Sequence, residues 1–463
     1  MSPLDRRSLR ETLAFAAPLD GRMVYDGSHD VELDTILHGS CLGGHAASLA
    51  SRSVLVATAD QLSAALALIE LDGQALRLTL CPPDLRGEHL ASVIHDAAVE
   101  AIVCSDPSQF AGLGVARIVT CGLPLLPDSA AIAPRHHTEW LMLTSGTTGA
   151  PKIAVHTLKG LTGAIKPGLP PADKPVWGTF YDIRRYGGLQ IFLRAILGSG
   201  SLVLSRPGEA IADHLHRLAE CGVSHMTGTP THWRRALLSS AATAISPRYI
   251  RLSGEIADQA VLDALKAAYP AAAIGHAYAS TEAGVGFEVN DGREGFPAAY
   301  LGLAGSEVDM KIEEGSLRLR SARMASYYAG RPDLRLIGAD GFVDTGDLVE
   351  LRGDRCYFAG RRDGVINVGG LKVHPEEIEA VINRHAMVRQ SLVKSRKSPI
   401  IGAIVVADVV LAGGLAATGH AQVKAELLEL CRAALPAHKI PAVINVIAAI
   451  ETTAGGKLSR HYA

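Results

Sequence analysis

A run of small polar residues follows an apolar stretch and could bind an anion. Trp140 to Leu143 reads as a buried strand, and it is followed by Thr144, Ser145, Gly146, Thr147, Thr148, Gly149, Ala150, Pro151 and Lys152. Glycines let backbone N–H groups turn toward phosphate oxygens, while hydroxyls and a lysine add donors and positive charge. The run therefore predicts a phosphate-binding loop. Its spacing is not that of a Walker A loop, and a Ser/Thr/Gly surface loop is the alternative.

Four later segments also combine charged or hydroxyl residues with glycine. They are Tyr278-Ala279-Ser280-Thr281-Glu282, Asp344-Thr345-Gly346-Asp347, the stretch from Gly360 to Asp363 with Gly369 to Glu379, and Thr453 to Lys457. Each has an ordinary reading when taken alone. Tyr278 could be a core tyrosine, Asp344 to Asp347 a common turn composition, Gly369-Gly370 a tight turn and Lys457 a surface lysine.

The five segments, taken in this order, resemble the signature of the adenylate-forming (ANL) superfamily. That superfamily contains acyl-CoA and aryl-CoA synthetases, luciferases and the adenylation domains of peptide synthetases. The resemblance covers the chain from Trp140 onward and is only generic before that residue. It implies an ATP-dependent carboxylate–CoA ligase that uses ATP, Mg²⁺ and coenzyme A. Such an enzyme joins the carboxylate to the α-phosphorus of ATP, releases pyrophosphate and transfers the acyl group to a thiol, so donors, a metal and a cation must face the phosphates.

The resemblance also implies roles for the residues around the phosphates. The loop from Thr144 to Lys152 would hold the β- and γ-phosphates. Glu282 would bind Mg²⁺, for which a carboxylate oxygen is a suitable ligand, and Thr281 would contact the α-phosphate. Lys457 would bridge the substrate carboxylate and the α-phosphate, a task that suits a compact ammonium. Glycine at position 455 departs from the serine that relatives commonly carry there.

The nucleoside part of ATP is assigned by the same resemblance. The ring of Tyr278 would pack on adenine, and Asp347 would accept hydrogen bonds from both ribose hydroxyls, with Arg361 as a second ribose contact. The remaining residues expected at the nucleotide are Gly254, Glu255, Ala279 and Ser280.

Thioester formation would need a second conformation, because Lys457 fills space that the thiol must enter. Asp363 matches the position about which the small domain of relatives rotates. Rotation would withdraw Lys457 and bring Gly369 and Gly370 against the pantetheine arm, where missing side chains leave room.

The substrate pocket is the part in which the chain departs most from the common patterns. Residues 181–190 stand where many relatives carry an aromatic-histidine-glycine stretch. Arg184 or Arg185 could pair with a second carboxylate of the substrate, and a solvated arginine pair at a helix start is the alternative. The expected pocket residues are Tyr181, Arg184, Gly188, Thr227 and Ala277, with His225 nearby.

Short apolar runs alternate with helical patterns before and after the loop. The runs at 53–58, 76–80 and 101–104 are separated by helical patterns at 60–71 and 86–98. This alternation is typical of βαβ units and predicts an α/β fold with mostly parallel sheets in a large domain, residues 1–360. The rest, residues 361–463, reads as a small mobile α+β domain hinged near Asp363, with helices beginning near His374 and around Val423.

Composition narrows the function classes. The 463 residues carry a formal net charge of -2, which offers no electrostatic case for a nucleic-acid partner. Seven scattered cysteines favour neither a zinc site nor a disulfide framework and suggest reduced thiols in the cytoplasm. The longest apolar run, 400–412, is far shorter than the roughly 20 residues of a membrane span and predicts a strand. A homodimer remains an open expectation.

Three other functions share these motifs. The nearest is a stand-alone adenylation enzyme that loads an aryl or amino acid onto a carrier protein. The others are a luciferase-like oxygenase and a nucleotide-binding regulator without catalysis. The acid itself, whether aliphatic, aromatic or dicarboxylic, does not follow from the sequence.

Overall fold

The architecture is taken from a computed structural model of the chain. It describes residues 7–15, 18–85, 87–127, 135–144, 151–165, 174–303, 305–368, 371–398, 402–412, 419–453 and 457–458. The predicted loop residues Ser145 to Ala150 and the predicted Gly369 and Gly370 lie outside these ranges.

The described helices and strands alternate through most of the chain. The α-helices are Leu9–Ala14 (α1), Leu33–His38 (α2), Gln61–Leu71 (α3), Gly87–Asp96 (α4), Leu158–Thr162 (α5), Tyr186–Leu197 (α6), Ile211–Glu220 (α7), Pro230–Leu237 (α8), Gln259–Ala268 (α9), Pro375–Ile382 (α10) and His420–Ala434 (α11). The strands up to residue 203 are Met23–Tyr25 (β1), Asp30–Glu32 (β2), Gly39–Ser40 (β3), Ser53–Ala57 (β4), Arg77–Leu80 (β5), Ala101–Cys104 (β6), Arg117–Thr120 (β7), Leu126–Pro127 (β8), Glu139–Leu143 (β9), Ile153–Thr157 (β10), Val176–Thr179 (β11) and Ser201–Val203 (β12). The later strands are His225–Gly228 (β13), Tyr249–Ser253 (β14), Ala273–Ser280 (β15), Gly284–Val289 (β16), Phe296–Pro297 (β17), Val308–Glu313 (β18), Ser316–Ser321 (β19), Tyr327–Tyr328 (β20), Val343–Arg352 (β21), Arg355–Arg361 (β22), Ile366–Val368 (β23), Leu371–Val373 (β24), Val388–Ser398 (β25), Gly402–Leu411 (β26) and Val443–Val446 (β27).

Two large, mostly parallel sheets form the first part of the molecule. The first has the order β16-β15-β14-β13-β11-β12-β1-β2, with parallel pairs from β15 to β1 and antiparallel strands at both edges. The second has the order β20-β10-β9-β5-β4-β6-β7 and is parallel from β9 to β7. Val54, Leu55 and Val56 of β4 are all fully buried, as continuous apolar strands of parallel sheets are.

Helix α3 joins the cores of these sheets. Asp60 caps its first turn by accepting a hydrogen bond from the Ser63 amide at 2.6 Å. All eleven residues of the helix are buried, so it is enclosed rather than amphipathic. A single apolar cluster includes Leu66 of α3, Trp140 of the second sheet and Leu202 of the first.

A third, antiparallel sheet has the order β17-β22-β21-β19-β18. Its strands β21 and β22 pair so that Asp347 lies directly opposite Arg361. After β22 the chain forms a short 3₁₀ turn, Arg362–Gly364, and a separate apolar cluster begins at Ile366. That cluster contains α10, α11 and the sheet β25-β26-β27.

The fold class predicted from the sequence is confirmed. The runs expected to be strands at 53–58, 76–80 and 101–104 are β4, β5 and β6, and the helical patterns between them are α3 and α4. Strand β26 lies within the apolar run at 400–412 that was expected to be a strand, and α10 begins at Pro375 as expected. The cysteines, all described, are free thiols, five of them buried. Within the described ranges no helix is long and apolar enough to cross a bilayer.

Two adjacent glycines of α6 give a direct test of its packing. A Cβ at Gly188 would lie 2.1 Å from the carbonyl oxygen of Asp182, whereas a Cβ at Gly187 would meet its nearest atom, in the Tyr181 ring, at 3.8 Å. Gly188→Ala should therefore destabilise the protein by about 2 kcal/mol or more, because backbone must shift. Gly187→Ala, the matched control, should be neutral or stabilising by up to about 1 kcal/mol. Thermal unfolding of both variants measures the difference, and equal midpoints would contradict this packing.

Candidate active site

The predicted site residues meet beyond the carboxyl ends of the strands in the first sheet. Tyr181 follows β11, Gly254 and Glu255 follow β14, and Thr281 and Glu282 follow β15. Loops at this edge of a parallel sheet commonly bind ligands, because neighbouring strands deliver their following residues to one place.

Lys457 lies against Gly254. The glycine has φ +87°, and a Cβ there would lie 3.4 Å from Cε and 4.0 Å from Nζ of Lys457. Glycine therefore suits this position both by backbone conformation and by the space left for the lysine. Residue 457 as a whole is exposed. Desolvation of its ammonium nevertheless lowers the pKa of Lys457, while Glu255 and Asp347 raise that pKa.

Glu255 fixes the segment that carries Lys457. Its Oε1 accepts a hydrogen bond from the Leu458 amide at 3.0 Å, and its Oε2 accepts one from the Thr231 amide, also at 3.0 Å. The segment closes on itself, since the Thr453 amide donates to the Lys457 carbonyl at 2.8 Å. One carboxylate therefore joins the first turn of α8 to the residue after Lys457.

Asp347, Arg361 and Tyr278 form a second group beside Lys457. The Tyr278 hydroxyl donates to Oδ2 of Asp347 at 2.5 Å, and Nη1 of Arg361 lies 3.9 Å from Oδ1. Burial raises the pKa of Asp347, although the Tyr278 hydrogen bond and Arg361 oppose the shift. The Tyr278 ring stacks with Phe287 and Phe358 at centroid distances of 5.6 and 5.3 Å.

Glu282 and Thr281 are held from two directions. The Tyr328 hydroxyl lies 3.4 Å from Oε1 of Glu282, and the Lys152 ammonium lies 5.4 Å from the centre of the Tyr328 ring. Nε2 of His156 donates to the Thr281 carbonyl at 2.7 Å, which places the imidazole proton on Nε2 because a carbonyl only accepts. His156 belongs to β10 of the other large sheet, so this bond ties the two sheets together at the site.

The ends of the predicted phosphate loop are paired. The Thr144 amide donates to the Lys152 carbonyl at 2.8 Å, in continuation of the β9 and β10 ladder. After β15, Ser280 accepts a hydrogen bond from the Ala283 amide at 3.0 Å and so shapes the turn that carries Thr281 and Glu282. A register shift between Tyr278 and Ala279 bends the strand just before that turn.

Three of the predicted pocket residues lie at one face of the first sheet. Tyr181 donates to the Ser253 carbonyl at 2.7 Å, Thr227 donates to Oγ1 of Thr179 at 3.0 Å, and Ala277 is buried on β15.

Arg184, by contrast, is neither solvated nor free to meet a substrate. Its side chain is fully buried and bonds both oxygens of Asp182 and the Thr58 carbonyl. Its neighbour Arg185 is paired with Asp84. We therefore correct the expectation for Arg184 to a structural ion pair.

Two important residues were not found by sequence reasoning. His156 stands in an apolar strand, and a single histidine there gives no local signal of a partner 125 residues away. Arg251 of β14 is also buried and faces the predicted pocket residues. A charged residue within a central strand was the available signal, because an arginine there must have a partner.

A metal-binding cluster is not formed by protein groups alone in the described ranges, where no three histidine, cysteine or acidic side chains converge. Glu282 follows β15, and its Oε1 lies 3.4 Å from the Tyr328 hydroxyl. A single carboxylate is compatible with Mg²⁺ when substrate phosphates supply further oxygen ligands.

Comparison with known proteins identifies the family. The family described as AMP-binding enzyme matches residues 54–320, and the AMP-binding enzyme C-terminal domain matches residues 377–457. The chain therefore belongs to the AMP-binding enzyme family, the adenylate-forming superfamily whose signature its motifs resemble.

Individual relatives are distant. The chain is 27% identical to a 2-succinylbenzoate–CoA ligase of Salmonella typhimurium over 305 residues, 63% of this chain and 62% of that enzyme. It is 27% identical to tyrocidine synthase 3 of Brevibacillus parabrevis over 69% of this chain and 5% of that protein. It thus spans less than two thirds of these relatives' lengths. The amide bond synthetase McbA of Marinactinospora thermotolerans has a similar fold, with a TM-score of 0.80, 17% identity and 97% coverage of both chains.

His156 makes the stability of the site region depend on pH. Burial lowers the pKa of His156 from 6.5 to about 4. Between these pH values the histidine is protonated in the unfolded chain but neutral in the folded protein. Stability from this group is complete above pH 6.5 and is lost as the pH falls, by about 2 kcal/mol at pH 5. His156→Gln can keep a donor without titrating, so its thermal midpoint should fall less than that of the wild type between pH 7.5 and 5.

The exposed His29→Gln serves as the control and should follow the wild type at both pH values. Parallel losses in His156→Gln and the wild type would show that His156 does not titrate as its burial requires.

Proposed function

We propose that this chain is an ATP-dependent carboxylate–CoA ligase that forms an acyl-adenylate and then a thioester, releasing pyrophosphate and AMP. The observation that carries the proposal is the position of the Lys457 ammonium, against Gly254 and within the electrostatic influence of Asp347 and Glu255. A partly desolvated cation at the strand ends suits the transfer of negative charge between a carboxylate and a phosphate. The likeness to a CoA ligase over 305 residues supports the thiol acceptor.

In this proposal the groups beside Lys457 hold the nucleotide. Asp347 has an oxygen beside Arg361 and retains acceptor capacity for ribose hydroxyls, since a carboxylate has about four acceptor positions. Tyr278 has partly exposed surface for the base. Glu282 and Thr281 would serve the metal and the α-phosphate, and the loop from Thr144 to Lys152 the other phosphates. Mg²⁺, when bound, would neutralise phosphate charge.

The adenylation step then follows from charge and position. Lys457 draws the substrate carboxylate and the α-phosphate together and offsets their repulsion. The carboxylate oxygen bonds to the α-phosphorus, the bond to the pyrophosphate oxygen breaks, and pyrophosphate leaves. The sulfur of coenzyme A next bonds to the acyl carbon, its thiol proton passes to solvent, the bond to the AMP oxygen breaks, and AMP leaves with the bonding electrons.

We also propose that residues 361–463 form a mobile domain that turns about Asp363 between the two steps. The separate apolar cluster from Ile366 onward supports an independent unit. Among the described residues, the hydrogen bonds that would have to break include those from the Leu458 amide to Glu255 and from Nδ2 of Asn383 to Asp258 at 3.3 Å. Relative motion is the expected behaviour of two parts with separate cores unless their interface is large and apolar. Gly369 and Gly370 would then meet the pantetheine arm.

A carrier-protein acceptor is the second candidate, favoured by the match to part of tyrocidine synthase 3. Incubation with ATP, an accepted acid and CoA alone, followed by mass detection of acyl-CoA, distinguishes the two. Before that, pyrophosphate release should be screened across aliphatic, aromatic and dicarboxylic acids. Release of pyrophosphate without any acid, or no release with any of the acids, would contradict the ligase proposal.

Lys457→Ala should abolish adenylation but largely preserve thioester formation from a supplied acyl-adenylate. The expected loss in the first step is about 3 kcal/mol or more, at least a hundredfold in rate, because a preorganised charge is removed. Pyrophosphate release and acyl-CoA formation are measured separately. The exposed Lys397→Ala is the control, and equal losses in both steps for Lys457→Ala would contradict the two-conformation proposal.

Asp363→Pro should separate the two steps without touching substrate. Proline fixes φ near −65° and prevents the dihedral change that rotation requires. If the adenylating arrangement is retained, a single-turnover burst of pyrophosphate should persist while steady-state acyl-CoA production falls by orders of magnitude. Asp363→Ala, which keeps φ free, is the matched control. Wild-type rates for both steps in a folded Asp363→Pro protein would place the hinge elsewhere.

A further inference from the structure

A charged group lies on the same sheet face as the predicted pocket residues. In β14, Ile250 and Leu252 pack into the cluster with α7, α8 and α9. Side chains alternate along a strand, so Tyr249, Arg251 and Ser253 point to the opposite face. Tyr249 packs there against the cluster that contains α6.

The strand register connects this face to the candidate active site. Ser253, the residue before Gly254, pairs with Ala277, and Ala277 pairs with Glu288 of the edge strand β16. Directly paired residues share a face, so Ser253, Ala277 and Glu288 form one row across three strands. Ser253 and Ala277 are small, and the row leads from the position of Lys457 to the Glu288 carboxylate.

Arg251 reaches that carboxylate. Its Nη1 lies 2.6 Å from Oε1 of Glu288, and Nη2 of Arg194 in α6 lies 3.9 Å from the same oxygen. The Arg251 side chain is 9% exposed, that of Arg194 23% and that of Glu288 37%. The group is thus largely enclosed but retains some access to solvent, as a binding pocket requires.

The charges within this group do not balance. Among the described residues, two guanidinium groups share one carboxylate, while nearby Arg323 has its own partner in Glu307. Desolvation lowers the pKa of Arg194, and the charge of Arg251 lowers it further. A largely buried excess of positive charge is costly and is relieved by an added anion.

The length of the substrate depends on the distance between Lys457 and the Arg251 guanidinium. Two strand spacings separate Ser253 from Glu288, roughly 10 Å. The Arg251 side chain starts on the strand of Ser253 and crosses part of that distance toward Glu288. Lys457 packs against Gly254, the neighbour of Ser253, so a substrate that reaches from Lys457 to the Arg251 guanidinium would span less than about 10 Å.

We infer that Arg251, with Arg194, binds a second carboxylate on the acid substrate, so that the preferred substrates are dicarboxylic acids of intermediate length. This inference rests on the proposed ligase function and names its substrate class. Glu288 orients Arg251 between turnovers. A charge-assisted, two-pronged contact from arginine to carboxylate supplies the selectivity.

The first test uses the wild-type protein and matched pairs of acids. Pyrophosphate release is measured with adipate against hexanoate, and with terephthalate against benzoate, at equal ionic strength. The expected result is a kcat/KM about tenfold to hundredfold higher for the dicarboxylate of at least one pair, because the mono-acid leaves the arginines without their partner. Equal or better use of both mono-acids would overturn the inference while leaving the ligase function intact. Release with no acid would overturn both.

The second test assigns the preference to Arg251. Arg251→Met should bring the ratio of dicarboxylate to mono-acid close to one, mainly through a raised KM for the dicarboxylate, while Lys457-dependent turnover of the mono-acid continues. Arg320→Met, which removes an exposed guanidinium paired with Asp309, is the matched control and should keep the wild-type ratio.

Glu288→Gln distinguishes a pocket that binds an anion from one that binds a cation. Removing the competing carboxylate should raise the preference for the dicarboxylate. The opposite result is that Glu288→Gln lowers turnover of an amino-substituted acid and Arg251→Met raises it. In that case the pocket binds a cation and the inference is wrong. Thermal midpoints of all three variants are measured alongside. If Arg251→Met does not fold, the ratio of dicarboxylate to mono-acid turnover in the wild type decides the inference.

Discussion

The carboxylate of Glu255 makes two hydrogen bonds on which the arrangement of the site depends. One comes from Thr231 in the first turn of α8, and the other from Leu458, which is 203 residues away in the chain. The first turn of a helix leaves amides without backbone partners, and a carboxylate satisfies one of them with help from the helix dipole. The second bond uses the remaining oxygen to hold the segment that carries Lys457. Because both bonds are charge-assisted, each is stronger than a neutral one.

That constraint explains the electrostatic character of the site. Held against Gly254, the Lys457 ammonium is desolvated, and its pKa is lowered although Glu255 and Asp347 oppose the shift. Asp347 is in the reverse situation, since burial raises its pKa despite Tyr278 and Arg361. A cation and an anion are thus both destabilised in their charged forms beside each other. A group whose charged form is destabilised gains most from a bound partner of opposite charge. Such groups are expected in a site that binds phosphates and a carboxylate.

Local patterns were sufficient to predict the elements and the motifs, but not the contacts across strands. The alternation of apolar runs with helical patterns predicts β4, α3, β5, α4 and β6 because period and length differ between strands and helices. The row from Ser253 through Ala277 to Glu288 depends on register, which no single segment encodes. Arg184 shows the same limit, because its partner Asp182 and the carbonyl of Thr58 satisfy a charge that looked available in the sequence.

We propose that Glu255 holds Lys457 where adenylation takes place, and Glu255→Gln tests this proposal most directly. The amide has one carbonyl oxygen, so it cannot accept from both Thr231 and Leu458 through two oxygens. The measurement is acid-dependent exchange of labelled pyrophosphate into ATP, with trypsin cleavage after Lys457 followed in the same protein. We predict an exchange rate at least about tenfold lower, equivalent to about 1.4 kcal/mol, together with faster cleavage. An unchanged exchange rate in a folded Glu255→Gln protein whose cleavage is faster would contradict the account.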